Sequence, residues 1–147
     1  MRTTVFFSLF VLLSAGCTVL PDGVEGYEDR CIQLNAELIP PTASDPHLGN
    51  KNVYACDVEL EALVDGSAIP CADGTMIVKE SFREGEDFPW LLATAEKKSG
   101  SWEWKEYKRN FENEDFVQIL AGEQVCRNCH EAVKDSGDWI FTFYEEE

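Results

Sequence analysis

Two periods of apolar spacing run along this chain. From Tyr27 to Leu38 the less polar residues Tyr27, Cys31, Leu34 and Leu38 recur at helical intervals, and Pro40-Pro41 follows as a stop. Val53 to Val58 reads as a short strand, and Asp57 to Val64 as a helix with Leu60, Leu63 and Val64 on one side, ended by Asp65-Gly66. Beyond the Ala72-Asp73-Gly74 turn the period changes to two. Thr75 to Phe82 predicts a strand with Ile77, Lys79 and Ser81 on one face. Trp90–Glu96 and Trp102–Tyr107 predict a hairpin around Lys97-Lys98-Ser99-Gly100. In its second strand Trp102, Trp104 and Glu106 share a face, and Glu103, Lys105 and Tyr107 share the other. Residues 111–123 fit neither period. Gln124 to Lys134 predicts a short helix, and Trp139 to Tyr144 a closing aromatic strand after the Ser136-Gly137-Asp138 break. The expected class is α+β, mainly an antiparallel sheet with a few short helices.

The N-terminus has a different pattern. Arg2 precedes a largely apolar run, Val5 to Leu13, too short to span a bilayer as a stable helix. Small residues Ser14-Ala15-Gly16 then lead to Cys17. Residues 1–16 read as a secretory signal peptide, and Leu13 to Cys17 resembles the bacterial lipobox. That resemblance implies lipid on the Cys17 sulfur and cleavage just before it; an ordinary secretory cleavage nearby is the alternative. With no Asp directly after Cys17, lipoprotein sorting points to the outer membrane, periplasm-facing or at the surface. Acyl chains would anchor the protein stably. Residues 17–26 form a tether and residues 27–147 one domain, a length that supports a single core.

Charge sharpens this picture. The formal net charge is −16, and losing Arg2 with the signal makes it more negative still. Such a chain repels nucleic acid and anionic headgroups. The six cysteines divide between lipid at Cys17, the Cys126/Cys129 pair, and Cys31, Cys56 and Cys71. An oxidising compartment predicts one disulfide among the last three. Cys56–Cys71 closes the shortest loop and is the expected pair, with Cys31–Cys71 and Cys31–Cys56 as alternatives.

The most specific chemistry lies in Cys126-Arg127-Asn128-Cys129-His130. C-x-x-C-H is the attachment pattern of a c-type haem: two thiols on one turn of chain reach the two vinyl groups, and the following imidazole ligates iron. Half of a zinc site is the competing reading, but no second C-x-x-C or H-x-x-x-H supplies the remaining ligands. Export and haem attachment support each other, because bacteria join haem to this motif outside the cytoplasm. The expected cofactor is therefore one covalent haem c, on Cys126 and Cys129, with His130 as proximal ligand.

Several phrases together resemble the cytochrome P-460 family, which includes the β-sheet cytochromes c′ (c′-beta). They are His47-Leu48-Gly49 with Val53-Tyr54; Asp73-Gly74-Thr75 leading to Lys79-Glu80; Gly100-Ser101-Trp102-Glu103-Trp104 leading to Tyr107; and the haem motif followed by Asp138-Trp139-Ile140-Phe141-Thr142. The likeness runs from about residue 47 to 143. It implies an antiparallel-sheet homodimer, one haem c per chain and an open or weakly held distal position. It implies a small gaseous or nitrogenous ligand, such as NO, or electron exchange with a redox partner protein. Family members with a lysine-to-haem cross-link oxidise hydroxylamine, so an enzyme acting on hydroxylamine or NO is the alternative. A haem-free surface lipoprotein is the third possibility.

Lys79 is the candidate cross-linking residue because it lies in the matching segment; its other reading is a solvated or salt-bridging lysine. Met76 and His47 are the remaining candidates for a sixth iron ligand. The competing roles are core packing for Met76 and turn stabilisation for His47. Glu123 lies near the haem motif but fits no pattern. Phe82, Phe88, Trp90, Phe111, Phe141 and Phe143 are candidates for an apolar distal wall.

Overall fold

Six strands pair in chain order into one antiparallel sheet: β1 (Ile32–Gln33), β2 (Asn50–Cys56), β3 (Met76–Phe82), β4 (Leu91–Lys98), β5 (Ser101–Lys108) and β6 (Val117–Ile119). The helices are short: α1 (Tyr27–Arg30), α2 (Leu60–Val64), α3 (Glu123–His130) and α4 (Lys134–Gly137), with a 3-10 turn at Glu131–Val133. The structure, a computed structural model, describes residues 20–21, 23–43, 45–119 and 123–145. The expected signal segment and Cys17 lie outside the described residues. Among the described residues no helix is long and apolar enough to cross a membrane. The α+β class with a mainly antiparallel sheet is as the periodicity predicts.

Turn chemistry sets the register at the centre. Lys98 pairs with Ser101, and both intervening residues are left-handed, Ser99 at φ 49° and Gly100 at φ 74°. Two positive φ values match the twist of a tight hairpin. The Asp73 carboxylate accepts the Gly100 N–H at 2.8 Å. From that turn β4 and β5 run in register through Leu91–Lys108.

The sheet is covered on both sides, unlike an antiparallel sheet with one wet face. On one face Tyr54, Cys56, Met76, Val78, Leu92 and Tyr107 pack under Val24 and Tyr27 of the α1 region. On the other, Val53, Ala55, Ile77, Ala95 and Trp102 pack with Leu34 and Ile140. Glu80 lies buried on the α1 face. Its carboxylate accepts from the Tyr27 hydroxyl, from the Tyr54 hydroxyl at 3.3 Å and from the Asn52 amide at 3.2 Å. Burial raises the Glu80 carboxyl above its ordinary range, against the pull of these donors. Burial also pushes the Tyr54 hydroxyl up to about 12.

Several expectations change. The helix expected over residues 27–38 stops at Arg30, because Cys31 turns extended at ψ 158° and Ile32 and Gln33 pair with Ala55 and Tyr54. Strand pairing thus overrides the helical spacing. The ambiguous residues 111–123 contribute the edge strand β6 and the first residue of α3. The aromatic segment 139–144 is not a strand. Asp138 (φ 48°) and Trp139 (φ 73°) are left-handed, so the chain turns across the sheet face and buries Ile140 there.

The disulfide joins Cys31 to Cys56, not Cys56 to Cys71. Alternation along β2 explains the correction. Cys56 points to the α1 face, whereas Cys71 packs into the cluster on the opposite face. Cys71 remains a thiol, with its pKa pushed up to about 11 by burial and by the nearby Asp138 carboxylate. A neutral, half-buried thiol is a packing group rather than a nucleophile.

Candidate functional site: the cleft beneath the C-x-x-C-H helix

Cross-strand register assembles the floor of the site. One row reads Val53, Lys79, Ala93, Glu106, and the next Ala55, Ile77, Ala95, Trp104. Small alanines between larger neighbours leave a trough in the face opposite α1. Two hollows open along it. They share His47, Lys79, His130, Phe141 and Thr142.

Helix α3 brings the motif to this trough. Cys126 lines the first hollow, Cys129 the second, and His130 both. Neither Cys126 nor Cys129 is in a disulfide. His130 is buried. Its ring lies between Trp104, at 4.4 Å between centroids, and Phe141, at 5.1 Å. Its Nδ1 lies 2.5 Å from the carbonyl oxygen of Trp139. A carbonyl only accepts, so Nδ1 carries the proton and the Nε2 lone pair is left for another partner. Among the described residues none hydrogen-bonds Nε2. Burial lowers the imidazole pKa, favouring the neutral form that binds metals.

The second hollow has a polar wall. His47 is buried and bridges two carboxylates: Nδ1 lies 3.2 Å from Asp45 and Nε2 3.2 Å from Glu106. Lys51, 1 % exposed, lies 2.9 Å from the second Asp45 oxygen and also donates to the Gly49 carbonyl at 2.9 Å. Burial disfavours the charged Asp45 carboxylate, but the Lys51 and His47 N–H donors outweigh it and hold its pKa below the ordinary value. Gly49 lets this loop approach β3: at φ +91° a Cβ would collide with the Phe82 carbonyl.

Lys79 stands between the two walls. It is half-buried, and among the described residues no hydrogen bond reaches its Nζ. Desolvation lowers its pKa, opposed by the Asp45 carboxylate. It is not a solvated surface lysine.

The trough gathers Lys79, His47, Cys126, Cys129 and His130 and leaves Met76 out. Met76 packs on the α1 face, away from His130. Of the aromatic candidates only Phe141 lines the trough. Trp90 lies under Arg83 and Phe88 under Arg109, Phe111 is 65 % exposed, and Phe143 borders a separate hollow. Glu123 opens α3, and its side chain lies outside the described residues. Asp45, Trp104 and Glu106 were missed as site residues. The period-two face that carries Lys79 and Trp102 also carries Trp104 and Glu106, so that signal was present. Nothing local marks Asp45.

The donor set suits a haem better than a metal cage. Among the described residues no three His, Cys, Asp or Glu gather around one point, and a porphyrin supplies four of the ligands itself. A metal-bound imidazole characteristically donates its other N–H to a carbonyl or carboxylate, as His130 does. No family model matches the chain, and no curated protein matches it in sequence.

Proposed function

We propose that this chain is an exported, lipid-anchored, single-haem c-type cytochrome of the cytochrome P-460 kind, with a c′-beta-like fold, that binds NO or a related small ligand or passes electrons. One observation carries the reading. The imidazole that follows the two motif thiols is oriented by a backbone carbonyl, with its other nitrogen left over and a thiol in each adjoining hollow. When bound, the haem supplies a redox-active iron with room for a small ligand. Cys126 and Cys129 would hold it covalently, and His130 Nε2 would ligate its iron. Trp104, Phe141 and Ile140 exclude water on the apolar side. The acidic surface keeps nucleic acid away and favours a cationic redox partner.

Optical spectra of the ferric and ferrous protein test this. A Soret band that survives denaturation, and a ferrous spectrum that changes on adding NO, are the expected results. A six-coordinate ferrous spectrum indifferent to NO would leave electron transfer alone, and no Soret band after expression with a haem-maturation system would favour the haem-free lipoprotein.

Lys79 favours a second reading, an enzyme that oxidises hydroxylamine or reactive nitrogen species at a lysine-linked haem. Its amine faces the same trough as His130 with its pKa lowered. In that case the tryptic fragment containing Lys79 travels with the pigmented fragments that carry Cys126 and Cys129. A peptide of native mass ending at Lys79, together with no hydroxylamine turnover, removes this reading.

A further inference from the structure

The carbonyl that orients His130 belongs to an unusual turn. Trp139 is left-handed at φ 73°, and so is Asp138 at φ 48°. Two successive non-glycine residues in that region need an external restraint. Here it is a buried ion pair. Lys97 Nζ lies 2.8 Å from each Asp138 oxygen, with the two side chains 9 % and 13 % exposed. The Cys71 N–H donates to the same carboxylate at 2.9 Å. Lys97 also lies 5.0 Å from the Trp102 ring centroid. Strand β4 therefore grips the turn from the sheet side. From the helix side, Arg127 of the C-x-x-C-H motif lies 5.0 Å over the Trp139 ring. The turn cannot relax without moving the carbonyl off Nδ1.

We propose that the Lys97–Asp138 ion pair is a positioning device for His130: it holds the Trp139 carbonyl on Nδ1, fixes the Nδ1–H tautomer and thereby sets how strongly Nε2 donates electrons to a bound metal. The metal half of this statement rests on the haem reading above; the tautomer half does not. Neither residue touches the trough, so both are positioning residues and not catalytic ones. A hydrogen-bonded imidazole is the stronger donor. Loosening the pair weakens donation while leaving the ligand itself in place.

The test uses the full chain in two forms. In the haem-free protein, long-range 15N NMR should show His130 with its proton essentially all on Nδ1. In Asp138→Asn, which keeps shape but loses the charge pair, His130 should become a mixture of both tautomers. Lys97→Arg alone should keep the single tautomer, because a guanidinium still pairs with Asp138. In the haem-loaded protein, Asp138→Asn should lower the iron–histidine stretching frequency and raise the midpoint potential. Should Asp138→Asn not fold, the Lys97→Met/Asp138→Asn double variant leaves no unpaired buried charge and takes the same measurements. A His130 still wholly Nδ1–H in the variants, with unchanged stretch and potential, would overturn the proposal. If wild-type protein never takes up haem while its tautomer responds as described, the haem reading fails and the positioning device stands.

Discussion

If haem is attached as proposed, replacing Cys126 and Cys129 together by alanine should give a protein from which acid–acetone extracts all pigment, whereas the wild type should keep its colour on the polypeptide through the same treatment. The two thiols lie on one helix, one turn apart, each facing a hollow that ends at His130. Among the described residues no other thiol is placed to substitute: Cys71 lies in a neighbouring hollow with a raised pKa, and Cys31 and Cys56 are bonded to each other. Each single variant should retain one thioether and so remain coloured after extraction. Thiol titration supplies an independent check. The denatured mature wild type should expose one reactive thiol, Cys71, with Cys17 acylated and the motif cysteines consumed. Two further reactive thiols in protein matured alongside a haem-attachment system would end the proposal, whatever the optical spectrum shows.

Strands announced themselves in the sequence, and their partners did not. β3 and the β4–β5 hairpin were legible because strict alternation is read from neighbours, and a Ser-Gly turn closes the hairpin locally. β1 was not, because two residues that leave a helix to pair with Ala55 and Tyr54 respond to a strand some twenty positions away. The Trp139–Tyr144 segment carried a strand-like composition, yet the restraint from Lys97 on a distant strand bends it into a turn instead. The same division holds at the site. The C-x-x-C-H spacing was visible because its chemistry is local. That His47 bridges Asp45 and Glu106 was hidden, because the histidine's partners come from a loop and from β5, brought together only by sheet register.

The two faces of the sheet divide the work of the molecule. Among the described residues the C-x-x-C-H motif, Lys79, His47 and the turn that supports His130 share one side. The other side holds a polar network around Glu80 and the disulfide. Because residues alternate along β3, Lys79 and Glu80 are neighbours in sequence that serve different cores. Damage to one face should therefore be read out separately from damage to the other.

That separation gives the second large effect. Changing Cys31 and Cys56 together to serine should lower the thermal midpoint by about 10 to 15 °C. The two cysteines are 25 residues apart, and releasing a loop of that length from the unfolded chain costs about 3.5 kcal/mol in the loop-entropy account. For a domain of this size each kcal/mol moves the midpoint by about 4 °C. The bond ties the end of α1 to the last residue of β2, and α1 with the turn before it supplies Tyr27 and Val24 to the core. Losing it should loosen that cover first, exposing Tyr54 and Glu80. Cys71→Ser should change the midpoint little, because Cys71 is half-buried and unbonded. On the proposed haem reading the Soret band and NO response should survive in the double variant, because the trough is on the opposite face. Thermal melts followed at both the Soret band and the far-ultraviolet circular dichroism report the two faces in one experiment. A non-reducing peptide map linking Cys56 to Cys71, or a large drop from Cys71→Ser alone, would refute the assignment of this bond to the α1 face.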